Sequence, residues 1–96
     1  MRQLEQTTRF NRDLKRALRG RYRNLFVTGG EFDQVKDALM MDIPLPPKYR
    51  DYALHNNFEG MRDCHLRPDF LLLYRYEGDD CLILEGLSSH SDLLGL

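Results

Sequence analysis

One stretch near the middle of the chain constrains the fold more than any other: Ile43-Pro44-Leu45-Pro46-Pro47. Proline has no N–H to donate, and its ring pushes the preceding residue out of helical backbone. A helix cannot run through this segment, so the chain is organised separately on its two sides. The sides also differ in period. Before the prolines, apolar residues recur at helical spacing; from Met61 onward they alternate or form strand-length blocks. A helical half followed by a strand half implies an α+β fold, with two N-terminal helices on one face of a small, twisted, mainly antiparallel sheet.

In the first half, Thr7 or Thr8 can cap a helix that reaches about Gly20. Phe10, Leu14, Ala17, Leu18 and Tyr22 are its expected buried stripe, and Arg9, Arg12, Arg16, Arg19 and Arg23 fall largely on the other side. Gly29-Gly30 then breaks the chain, and a second helix is expected from about Glu31 to Met41, with Phe32, Val35, Leu39 and Met40 inward. In the second half, Met61–Leu66, Phe70–Tyr76 and Cys81–Leu87 read as strands. They are joined by the short turns Arg67-Pro68-Asp69 and Glu77-Gly78-Asp79-Asp80, which implies an antiparallel meander. Residues 1–6 can supply an edge strand. The 96 residues suffice for one modest core and are too few for two, so 1–96 is read as one domain.

No apolar run approaches the length that spans a bilayer, and the first residues lack the apolar stretch of a signal peptide. The expected location is the cytoplasm, with no membrane partner. In that reducing compartment Cys64 and Cys81 are expected to be small hydrophobes in strands, since no CxxC motif is present. Net charge is −1, but it is unevenly placed. Residues 1–23 carry eight Lys/Arg against Glu5 and Asp13, which is +6; the rest carries six against thirteen, which is −7. Screening acts over roughly 8–10 Å, so a local basic face can meet RNA or an acidic peptide despite the total.

The residues suited to proton chemistry lie in the second half. By strand alternation Asp63 and His65 share one face, with Arg62 and Cys64 on the other. Asp69 follows a short turn and is expected near His65 across the hairpin. His90, in Ser88-Ser89-His90, lies just past the last strand, where the chain end can fold back over the sheet. Two imidazoles with a carboxylate suit metal-free RNA cleavage. One group takes the proton of a ribose 2′-OH, another protonates the leaving 5′-oxygen, and cations stabilise the phosphorane-like transition state. No cofactor or metal is expected: a HxxxD pair with one distant His is not a specific ligand spacing. The bland reading is an ordinary surface histidine and an Asp69 that shapes its turn. The serines near the C-terminus have no nucleophile-elbow context.

Certain strings are those of a known family. Pro44-Leu45-Pro46-Pro47-Lys48-Tyr49-Arg50-Asp51-Tyr52-Ala53-Leu54, then Gly60-Met61-Arg62-Asp63-Cys64-His65-Leu66-Arg67-Pro68-Asp69 and Leu72-Leu73-Tyr74, resemble the YafQ branch of the RelE-type toxins. Thr8–Arg16 resembles that family's opening helix, and Ser89-His90 with Leu93 its close. The resemblance implies a toxin of a bacterial toxin–antitoxin pair. It implies a ribosome-dependent endoribonuclease that cuts translated mRNA in the A site without a metal and is neutralised by a cognate antitoxin. It places the chemistry at His65, Asp69 and His90, with Asp63 beside them. Tyr52 stands where the family's YxDH string has a histidine, and either Tyr52 or nearby His55 can replace it. Leu94 stands where the family has an aromatic. Expected RNA contacts are Lys48, Arg50, Arg67, Leu94, Arg12 and Arg16. The alternative is a binding module on the same scaffold: a gyrase-poisoning relative, or a toxin decayed to a non-catalytic regulator.

Overall fold

The computed structural model describes residues 2–95. Strand β1 (Gln3–Gln6) leads into helix α1 (Thr8–Ala17), helix α2 (Glu31–Met40), strands β2 (Tyr52–Ala53), β3 (Arg62–Arg67), β4 (Phe70–Glu77) and β5 (Cys81–Ser88), and a short helix α3 (His90–Leu94). The sheet order is β1-β5-β4-β3-β2. The β3–β4–β5 meander is antiparallel as expected, β2 adds an antiparallel edge on β3, and β1 joins the other edge parallel to β5. The edge strand read over residues 1–6 is thus present at Gln3–Gln6. Met1, the first residue of that reading, and Leu96, the last of the 1–96 span, lie outside the described residues.

Thr7 caps α1, its hydroxyl accepting from the Phe10 N–H at 3.0 Å. The helix ends at Ala17, short of the expected Gly20, and its buried side differs from the expected stripe. Phe10, Asp13 and Ala17 are buried, whereas Leu18 is 47% exposed. At roughly 100° per residue the stripe centres between Phe10 and Asp13, which leaves Leu18 about a quarter-turn away. Asp13 is drawn in by the sheet. Beyond β1 the edge of β5 is bare, and Asp13 Oδ2 accepts the Leu87 N–H at 3.0 Å. A buried backbone donor without a partner would cost about 1–3 kcal/mol, so a carboxylate replaces the missing strand. Tyr22 lies outside the helix and stacks on Phe70, with ring centroids 5.2 Å apart.

Helix α2 buries Phe32, Val35, Leu39 and Met40, all four as expected. It follows the Gly29-Gly30 turn, where a Cβ on Gly30 would sit 2.8 Å from Val27 Cγ2. Two apolar clusters lie on opposite faces of the sheet. The larger joins α1 and α2 to Cys64, Leu66, Leu72, Tyr74, Leu82, Leu84 and Leu87. The smaller joins α3, through Leu93, to Leu71 and Leu73. The chain end therefore does fold back over the sheet, on the face away from α1 and α2. Among the described residues no helix is long and apolar enough to cross a membrane.

Candidate active site

Strand β3 distributes its side chains between the two faces. Cys64 and Leu66 enter the large cluster, while Asp63 and His65 pair with Leu73 and Leu71 of the small one. Arg62 points to the helical side, as expected. Its guanidinium donates to the Tyr74 hydroxyl at 3.2 Å and to Asp51 Oδ1 at 3.3 Å, and the Tyr74 hydroxyl donates to the same carboxylate. That network ties the loop before β2 to the sheet and leaves no role for Arg62 in proton transfer. Both cysteines are free. Burial pushes the Cys64 thiol far above its ordinary range, which suits a core residue and not a nucleophile.

Asp63 is 4% exposed. Burial raises its carboxyl above the usual carboxylate range, and the charges of His65 and His90 pull it back down. Helix α3, which begins at His90, packs on this same sheet face. Ser89 caps it by accepting the Asp92 N–H at 3.2 Å, Leu93 buries its side chain, and Arg9 donates to the Asp92 carbonyl at 3.0 Å. Gly86 lets α3 lie close: a Cβ there would be 2.7 Å from Leu93 Cδ2. His90, the first helical residue, remains exposed at the rim. Tyr52 pairs with Asp63 across β2 and β3, so it is on the same face, 60% exposed. Cross-strand partners approach to roughly 5 Å, which puts Tyr52 beside Asp63. His55 is exposed and lines a separate hollow with Leu54, Asn56, Asn57, Phe58 and Leu94.

Asp69 corrects the sequence reading. Its carboxylate accepts from the Tyr22 hydroxyl at 2.6 Å and from Arg21, not from His65. The Tyr22 hydrogen bond, followed by the Arg21 charge, holds it below the ordinary carboxylate range. The register explains the difference: the residue facing His65 is Leu71, and Asp69 sits out at the hairpin tip. His65 Nδ1 is instead buried with no hydrogen-bond partner among the described residues.

The edge of β3 beyond the two-residue β2 is uncovered, and an open cleft of about 440 Å³ lies there. His65, Lys48, Arg50 and Arg67 line it, together with Glu31 and Tyr49. Three of the expected RNA-contacting cations thus share one cleft with His65. Arg67 arrives by a bulge: the register slips between His65 and Arg67, so Arg67 faces Phe70 and turns toward α2. Arg50 is held at positive φ (46°) after the proline-started turn Pro47–Tyr49. Arg12 and Arg16 lie elsewhere, on the exposed side of α1 in the helical layer. Leu94 packs in part against the small cluster, where it helps seat α3. Asp13, Glu31 and Tyr49 were not singled out from sequence; each is an ordinary residue until the fold supplies its partner.

Comparison with known proteins identifies the family and the fold. The family described as "Bacterial toxin of type II toxin-antitoxin system, YafQ" matches residues 2–95. The mRNA interferase toxin YafQ of Escherichia coli is 38% identical over 53 residues, 55% of this chain and 56% of that protein. The chain spans about half the length of the curated relatives it matches. Among solved structures, a copper-bound mutant toxin from Helicobacter pylori is similar with a TM-score of 0.85 and 32% identity, over 98% of this chain and 100% of that one. The E. coli DinJ–YafQ complex is similar with a TM-score of 0.79 and 28% identity, over 99% and 100%. With the family matched over residues 2–95 and the fold shared, the chain belongs to the YafQ family of bacterial toxins of type II toxin–antitoxin systems.

Proposed function

We propose that this toxin is a ribosome-dependent endoribonuclease that cuts translated mRNA in the A site and is neutralised by a cognate antitoxin. The observation that carries the reading is a cation-lined cleft at His65, with Asp63 on the same sheet face as His65 and α3, which begins at His90, packed on that face. The E. coli relative named as an mRNA interferase and the relative solved with DinJ support the activity and the partner.

In the mechanism one of His65 and His90 removes the proton of the ribose 2′-OH. The 2′-oxygen attacks phosphorus, the P–O5′ bond breaks, and the other imidazolium protonates the departing 5′-oxygen. A 2′,3′-cyclic phosphate and a free 5′-OH result. Asp63 stabilises whichever imidazole is cationic, and Lys48, Arg50 and Arg67 hold the phosphate. Tyr52 stands in place to contact the nucleotide beside Asp63. Asp69 braces the hairpin tip through Arg21 and Tyr22. A mutant Helicobacter pylori relative is copper-bound; here, among the described residues, no group of three or more His, Cys, Asp or Glu is placed to hold a metal ion.

Primer extension on a message being translated, with wild-type protein against His90→Ala, tests the reading. New 5′ ends that require both ribosomes and His90 are expected. Their absence with wild-type protein refutes it, and growth arrest that survives His65→Ala and His90→Ala points to a binding module instead.

A further inference from the structure

Glu31 opens α2 and lines the cation-lined cleft, where its carboxylate accepts three hydrogen bonds. Oε2 accepts from Arg67 Nη1 at 2.9 Å and from the Tyr49 hydroxyl at 2.9 Å; Oε1 accepts from Arg67 Nη2 at 3.3 Å. An acidic residue in the first turn of a helix ordinarily serves the helix's own N-terminus. Here it is turned outward onto β3. The pairing holds the Glu31 carboxyl below its ordinary range, the Arg67 hydrogen bond being the main cause and burial opposing it. Burial and the same carboxylate push the Tyr49 hydroxyl up to about 12, so Tyr49 remains a donor at every working pH.

Arginine has five N–H groups in a rigid plane. Nη1 gives one to Glu31 and one to the Leu66 carbonyl, at 2.6 Å, and Nη2 gives one to Glu31. What remains among the described residues is the Nε–H and the second Nη2–H. These two lie on the same edge of the guanidinium and form the parallel fork that grips a phosphate in bidentate fashion. Without Glu31 the side chain would be free to swing, because the bulge that turns Arg67 toward α2 provides only the Leu66 carbonyl to hold it.

We propose that Glu31 is a positioning residue, clamping Arg67 so that one unpaired edge of its guanidinium is presented to a phosphodiester in the His65 cleft. The proposal deepens the nuclease reading and rests on it only for the cleavage readout. Glu31 does not touch the RNA. It fixes the group that does.

The test uses the full chain. Inorganic phosphate is titrated in while the Arg67 Nε–H resonance, identified by its loss in Arg67→Lys, is followed by NMR. A saturable shift is expected in the wild type, weakened ~tenfold in Glu31→Gln and largely retained in Glu31→Asp, with thermal melting used to check that each variant is folded. In ribosome-dependent cleavage, Glu31→Gln should lower kcat more than it raises KM, and it should cost nothing further in the Arg67→Lys background. Equal phosphate affinity in wild type and Glu31→Gln overturns the assignment, as does an equal loss of cleavage in both backgrounds. Faster cleavage by Glu31→Gln also overturns it, because Glu31 would then be competing with phosphate. A wild type that binds phosphate through Arg67 but cuts no message refutes the nuclease reading and leaves the Glu31 assignment standing.

Discussion

The seating of α3 on the sheet can be tested by exchanging volume between Gly86 and Leu93. In a five-residue helix, shorter than any that is stable alone in water, Leu93 is the main anchor. Leu93→Ala removes three carbons, worth about 2.4 kcal/mol at ~0.8 kcal/mol each, before any cavity term. That corresponds to a roughly fiftyfold fall in the ratio of docked to undocked α3. Gly86→Ala acts in the opposite sense. Its new Cβ would lie 2.7 Å from Leu93 Cδ2, with Asp13 Oδ2 at 3.5 Å and Arg9 Nε at 3.6 Å behind it, so something must shift. Overpacking of this kind costs about 1–3 kcal/mol. In the double variant the methyl added on Gly86 enters the space that Leu93 leaves. The two losses should therefore not add, and a coupling of at least ~1 kcal/mol is expected where independent sites agree to within about 0.5 kcal/mol. Hydrogen exchange across residues 89–95 reports docking directly, and urea unfolding reports global stability. Exchange there should quicken sharply in Leu93→Ala while the meander amides of β4 stay protected, and it should partly recover in the double variant. Additive effects, or unchanged exchange at residues 89–95 in Leu93→Ala, would refute the claim that this contact seats α3, and with it His90, on the sheet.

Buried polar groups supply two further tests. Burial raises the Asp63 carboxyl above its range in the unfolded chain, so ionising it costs more in the fold; the associated stability is fully present below the unfolded carboxylate pKa and is lost as pH rises through the folded one. Asp63→Asn should accordingly melt higher than wild type at pH 7, with the difference closing at acid pH, and should lose RNA cleavage; a lower melting point at pH 7 would show that ionised Asp63 is net stabilising. Tyr74→Phe removes the hydroxyl that joins Asp51 to Arg62 in a fully buried side chain. It should cost about 1–3 kcal/mol in urea unfolding, and a loss within error of zero would mean that the Arg62–Asp51 pair holds the β2 loop unaided.

How much of the site could be read along the chain depended on the kind of regularity each residue obeyed. Alternation is a local rule, and it correctly separated Asp63 and His65 from Arg62 and Cys64. It says nothing of Arg67, which a bulge turns toward α2 without leaving a sequence signal. The same irregular hairpin misled the reading of Asp69, which the turn carries out to Arg21 and Tyr22. Those partners come from the segment after α1, nearly fifty residues earlier in the chain, and nothing in the local pattern names them.

Periodicity, proline and turn chemistry determined the α+β plan, the antiparallel meander, the inward face of α2 and the shared face of Asp63 and His65. Each of these follows from interactions among near neighbours, where a side chain's face is set by its place in a helix or strand. Only the tertiary structure decided that Asp13 would stand in for a missing strand on β5, that α3 would pack through Leu93 on Leu71 and Leu73, and that Glu31 would hold Arg67 beside the cleft. The Asp13–Leu87 and Glu31–Arg67 contacts join residues 74 and 36 positions apart. A carboxylate is an ordinary solvated charge until folding removes water from it and supplies a particular donor.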